Sequence, residues 1–115
     1  MKAILLIAIL SVALISHADI LRVAQIEANN HTYIRYFYDC KQFSRDVRSA
    51  IMKDFPTIDV LYRIRPVDCN YFNCIGTSLH KFIWIPKRIG IVDEMYIEAT
   101  TGTEITKDLY RYYSL

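Results

Sequence analysis

The stretch Thr32-Tyr-Ile-Arg-Tyr-Phe-Tyr38, followed by Asp39-Cys40 and then Lys41 to Pro66, decides the fold. Its opening seven residues are dense in β-branched and aromatic side chains, a composition that suits a strand with at least one buried face. At Cys40 the period changes. Phe43, Val47, Ala50, Ile51 and Phe55 fall at i, i+4, i+7, i+8 and i+12, the stripe of an amphipathic helix whose other face carries Arg45, Asp46, Arg48 and Lys53. Pro56 stops that helix, because it can neither donate the next backbone bond nor avoid the preceding turn. Beyond it Ile58, Val60, Tyr62 and Ile64 alternate with Asp59, Leu61, Arg63 and Arg65, the period of a second strand running to Pro66. Strand, helix and strand in this order make a βαβ unit, whose two strands are expected to be parallel neighbours in one sheet.

The flanks are read outward from this unit. Ile20 to Ala28 is apolar in patches without a clean period and stays unassigned, and Asn29-Asn30 punctuates it as a turn. After Pro66, Cys69 to Lys81 is a mixed connection. Phe82 to Ile85 and Arg88 to Val92 read as short strands, and Met95 to Ala99 is expected to pair back across the Asp93-Glu94 turn. Ile105, Leu109, Tyr112 and Tyr113 repeat at helical spacing behind Thr103 or Thr106, which predicts a terminal helix.

The amino end is of a different kind. Lys2 precedes an apolar run from Ala3 to Ile15, then Ser16-His17-Ala18, a small-x-small cleavage signature. Residues 1–18 therefore read as a signal peptide and 19–115 as one domain. The apolar run is shorter than the roughly 20 residues a membrane span needs, so no stable span is expected after cleavage. The expected location is outside the cytoplasm, periplasmic or secreted. A chain of 115 residues carries one modest core, which excludes a two-lobed enzyme. Its net charge of +2, with basic residues scattered among acids, excludes a nucleic-acid binder.

Export puts Cys40, Cys69 and Cys74 in an oxidising compartment, where two can pair and one is left over. Three pairings are open. Cys40 stands out because the start of a helix stabilises thiolate over thiol, with Lys41 assisting and Asp39 opposing. A thiolate there could attack a disulfide, and Cys69 or Cys74 could resolve the mixed disulfide or form a structural bond. His31 and His80 have no spacing to each other or to the cysteines that suggests a zinc site, so no metal and no cofactor is expected. Asp39, Asp68 and Glu98 read as solvated strand ends, although an acid near Cys40 could accept a proton. Asn30-His31-Thr32 fits a glycosylation sequon.

The second half resembles the thioredoxin-like fold family. Trp84-Ile85-Pro86-Lys87 is similar to that family's cis-proline loop; Ile89 to Val92, the Asp93-Glu94 turn, Met95 to Ala99, Gly102 and a helix with Leu109 follow in a similar order. In the first half the aromatic strand and the cysteine at the strand–helix junction also look alike. The resemblance implies an α/β, thioredoxin-like domain, a mixed sheet of about four strands with helices on both faces. It also implies a cis Ile85-Pro86 bond beside Cys40, the backbone there serving as an edge for an extended substrate. Where thioredoxins carry Cys-x-x-Cys, this chain reads Cys40-Lys41-Gln42-Phe43. Two functions are expected to compete. One is thiol–disulfide exchange through Cys40 on protein thiols or disulfides. The other is a non-catalytic binding or assembly module with a partner protein in a cell-envelope conjugation or secretion system.

Overall fold

The computed structural model describes residues 14–35, 37–67 and 78–106. Helix α1 (His17–Asn29) begins where the Ser16 hydroxyl accepts the Asp19 backbone N–H at 3.2 Å, a side-chain cap on an otherwise unpaired donor. Its buried residues are Ile20, Ala24 and Ala28, spaced by four along one narrow face. Helix α2 (Cys40–Asp54) opens with a reciprocal cap: the Asp39 carboxylate accepts from Lys41 N at 3.0 Å, and the Gln42 side chain accepts from Asp39 N at 3.0 Å. It buries Phe43, Ser44, Val47 and Ile51, much of the expected stripe with a serine inserted in it.

Four strands follow: β1 (Leu61–Val67), β2 (Ser78–Ile85), β3 (Met95–Glu98) and β4 (Thr103–Glu104). They lie in the order β1-β2-β3-β4 and every neighbouring pair is antiparallel. The parallel βαβ unit expected from residues 32–66 is therefore corrected. The described residues of 32–38 make no strand. Ile34 and Tyr38 instead exchange two backbone bonds, at 2.8 and 2.7 Å, and close a tight loop ahead of α2. The second half of that unit, β1, pairs along its whole length with β2, from Leu61 opposite Trp84 to Val67 opposite Ser78.

The register decides the layers. Ile83 lies opposite Ile97 and Ile85 opposite Met95, which puts these four side chains on one face of the sheet. They join Ile20, Ala24 and Ala28 of α1 and Phe43, Val47 and Ile51 of α2 in one buried cluster. Both described helices thus pack on the same face, not on opposite faces as expected. Gly102, in the turn between β3 and β4, explains how close α1 comes. Its φ is +71°, and a Cβ there would sit 2.5 Å from Gln25 N and 2.6 Å from Gln25 Cα. Only glycine admits both that backbone and that contact.

Three further expectations change. Arg88 to Val92 is no strand, only one bridge around a turn at Gly90, whose φ is 77°; β3 pairs with β2 instead of folding back on it. The Ile85-Pro86 bond is trans, since no described peptide bond is cis. Ile105 follows β4 outside any helix, and the rest of the expected terminal helix lies outside the described residues. Most of the expected signal peptide, residues 1–13, lies outside them too. Among the described residues, no helix is long and apolar enough to cross a membrane.

Candidate functional site

Cys40 is the first residue of α2, half-buried and free of any disulfide. Its place follows from the local sequence: Asp39 caps the helix, and the Ile34–Tyr38 loop delivers the chain to that cap. One turn further on, Ser44 Oγ donates to the Lys81 carbonyl at 3.2 Å, fixing this end of α2 against the early part of β2. Four residues later Arg48 Nε donates to the Val60 carbonyl at 2.6 Å, just before Leu61 pairs with Trp84. The helix therefore travels from the Lys81 end of β2 toward the Trp84 end.

At the Lys81 end the sheet holds two ionisable side chains in contact. His80 Nε2 lies 2.6 Å from Glu98 Oε2 across β2 and β3, with side chains only 19% and 13% exposed. The other carboxylate oxygen, Glu98 Oε1, accepts from Thr100 Oγ1 at 2.9 Å and from Thr100 N at 3.3 Å. Burial pushes the Glu98 carboxyl up, but the His80 bond and charge and the two Thr100 bonds outweigh it, so the group is held below the usual carboxylate range. His80 also stacks on Phe82, ring centroids 6.1 Å apart. A carboxylate that holds one imidazole nitrogen fixes the ring's orientation.

The pair does not face the helix that carries the thiol. His80, Phe82 and Trp84 alternate with Ile83 and Ile85 along β2, so the pair lies on the face of the sheet opposite the one that α2 covers. Partial desolvation raises the Tyr33 hydroxyl, and negative charge at Cys40, Asp39 and Glu98 adds to the rise against Arg35. Among the described residues no hydrogen bond joins Cys40 to His80.

A second cluster anchors the loop. The His31 ring stacks on Tyr38 at 4.6 Å, its Nε2 lies 3.1 Å from Glu27 Oε1 and 3.8 Å from Asp46 Oδ2, and the Tyr38 hydroxyl donates to Asp46. Burial, the bond to Asp46 and its charge all push the Tyr38 phenol well above its ordinary value. Asp46 is held low, because its bonds to Arg45 and Tyr38 and the charges of Arg45 and His31 overcome its own burial. No group of three or more metal-ligating side chains that could hold an ion occurs among the described residues. Nearby, a groove of ≈ 410 Å³ between α1 and α2 is lined by Val23, Ile26, Glu27, Ser49, Ala50 and Lys53, among others. It includes neither Cys40 nor the His80–Glu98 pair.

The residues singled out in the sequence fare differently. Cys40 stands at the helix start, as expected. Cys69 and Cys74 lie outside the described residues, as does Asp68. Ile85 is fully buried in the core and in register with Met95, and it ends β2 at the edge away from Lys81. It is not brought to Cys40. Glu98, read as a solvated strand end, is largely buried and engaged. His80 and Glu98 were not recognisable as a pair, because the only signal for it is the alternation that sets His80, Phe82 and Trp84 on one face of β2.

No family model matches the chain, and no curated protein matches it.

Proposed function

We propose that the protein acts in thiol–disulfide exchange through Cys40. The observation that carries this reading is the free, half-buried thiol at the first residue of α2. The Cys40 thiolate attacks one sulfur of a disulfide, forming a mixed disulfide and releasing the other sulfur as a thiol. A second thiol then attacks the mixed disulfide and frees Cys40.

The resemblance of the sequence to exported, thioredoxin-like proteins supports the same reading. Phe43 occupies the place of a resolving thiol and is buried, so exchange requires Cys69, Cys74 or an external thiol. A binding module without turnover is the second reading, favoured by the exposed apolar side chains of Tyr33, Ile34 and Phe37 ahead of α2, and it needs no reactive Cys40.

One experiment separates them. The reduced protein is incubated with a small disulfide, and its intact mass and the reduction of the disulfide are followed. Exchange predicts a mixed disulfide on Cys40 and reduction that Cys40→Ser abolishes, and the binding module predicts neither.

A further inference from the structure

Ser16-His17-Ala18, the small-x-small signature expected to end the leader, is built into the fold. Ser16 caps α1, and its carbonyl accepts Ile20 N at 3.3 Å. His17 is the first residue of the helix, and both of its ring nitrogens are engaged: Nδ1 lies 3.1 Å from Glu104 Oε1 on β4, and Nε2 lies 3.1 Å from the Asp93 carbonyl ahead of β3. Two residues earlier Ile15 N donates to the Ile91 carbonyl at 2.9 Å, and the Ile15 side chain packs against the core. Residues 15–17 are thus tied to the chain around β3 and β4 by backbone, side-chain and apolar contacts.

A cut after Ala18 would remove all of these contacts and the cap with them. It would also set the new, positively charged α-amino group of Asp19 at the start of α1, the end of the helix that favours negative charge. The sequence offers a second bond. Ser11-Val12-Ala13 is small-x-small as well, and it leaves the eight apolar residues Ala3 to Leu10 behind Lys2, within the roughly 7–15 that the apolar part of a leader spans. A cut there frees an amino group at Leu14, which is 70% exposed and lies ahead of the Ser16 cap. A leader peptidase reads the extended chain before the domain closes, so both signatures are open to it, and only the second leaves a complete α1. We propose that the leader is cut between Ala13 and Leu14, so that residues 14–18 stay in the mature protein. The step is hydrolysis: water adds across the Ala13–Leu14 peptide bond, leaving a carboxylate on Ala13 and an amine on Leu14. It rests on export of the chain and not on the chemistry of Cys40.

The test expresses the full chain in a bacterium and reads the protein released from the periplasm by intact mass and amino-terminal sequencing. A single terminus at Leu14 is expected. Ala13→Leu puts a bulky side chain where the signature needs a small one and should abolish that terminus. Ala18→Leu, at an exposed position, should leave it unchanged. His17→Ala gives an independent readout: with His17 retained, loss of its contacts to Glu104 and Asp93 should lower the urea midpoint of the exported protein. Exported protein that begins at Asp19 or at any residue other than Leu14, or that still carries Met1, would overturn the proposal. A processing defect in Ala18→Leu, or a His17→Ala midpoint equal to that of the wild type, would overturn it also. None of these readouts uses Cys40, so a failure here leaves the exchange reading standing, and a failure of exchange leaves this proposal standing.

Discussion

Glu98 is gripped from two sides, with His80 Nε2 2.6 Å from one carboxylate oxygen and the Thr100 hydroxyl 2.9 Å from the other. The two bonds leave the carboxylate little freedom to rotate, so the imidazole it holds is fixed as well. A part-buried pair of this kind is costly to break, because the remaining partner keeps its desolvation penalty without its compensation.

That cost should show in acid. The Glu98 carboxyl is held below its ordinary value of 4.5 in the folded protein. Its contribution to stability is therefore complete above that value and is lost as pH falls through the lower folded value. Urea midpoints measured from pH 6 down to pH 3 should decline in the wild type. In Glu98→Gln the curve should be lower at pH 6 and flatter across the window. Parallel curves would show that Glu98 gains nothing from ionisation in the fold.

Thr100 should act on stability through Glu98. Thr100→Val removes the hydroxyl bond and leaves the backbone N–H bond, so the Glu98 carboxyl should rise and the acid decline in stability should begin at higher pH. Thr100→Ser should restore the wild-type profile. A uniform loss of stability with no change in its pH dependence would show that Thr100 does not act through Glu98.

The loop ahead of the thiol should depend on Tyr38. Tyr38→Phe keeps the stack on His31 but leaves Asp46 without that hydroxyl donor, at a cost of about 1–3 kcal/mol. The expected reading is a lower thermal midpoint together with faster amide exchange in residues 33–38. Unchanged exchange there would mean that the backbone bonds of Ile34 and Tyr38 hold the loop unaided.

Gly102→Ala tests the seat of α1. The added carbon meets the Gln25 backbone in a conformation that alanine already finds strained, so the loss should exceed roughly 2 kcal/mol. Denaturant unfolding measures it directly. A loss near zero would mean that α1 does not press on the β3–β4 turn.

How far the sequence could lead is seen element by element. Helix α2 was readable because Phe43, Val47 and Ile51 form a wide stripe between a capping aspartate and a proline. Helix α1 escaped because its buried stripe is Ile20 and two alanines, too faint against the valine, leucine and isoleucine around it. Residues 32–38 misled because strand propensity measures how well a side chain suits a half-buried surface, and a pinned apolar loop satisfies the same composition. The error propagated: without a strand there, β1 had no parallel partner and took β2 instead. The position of Cys40 needed only its place before the stripe. The His80–Glu98 contact needed the register that sets Ile83 opposite Ile97, which alternation alone does not specify.

The central claim is that Cys40 exchanges with disulfides, and mass analysis of its mixed disulfide tests it most directly. The reduced protein and its Cys40→Ser variant, each confirmed folded by its unfolding transition, are incubated with glutathione disulfide. The account predicts a glutathione adduct on Cys40, formed with release of one glutathione thiol, removed by excess thiol and missing from Cys40→Ser. No adduct on Cys40, or glutathione disulfide reduction that is undiminished in Cys40→Ser, would contradict it.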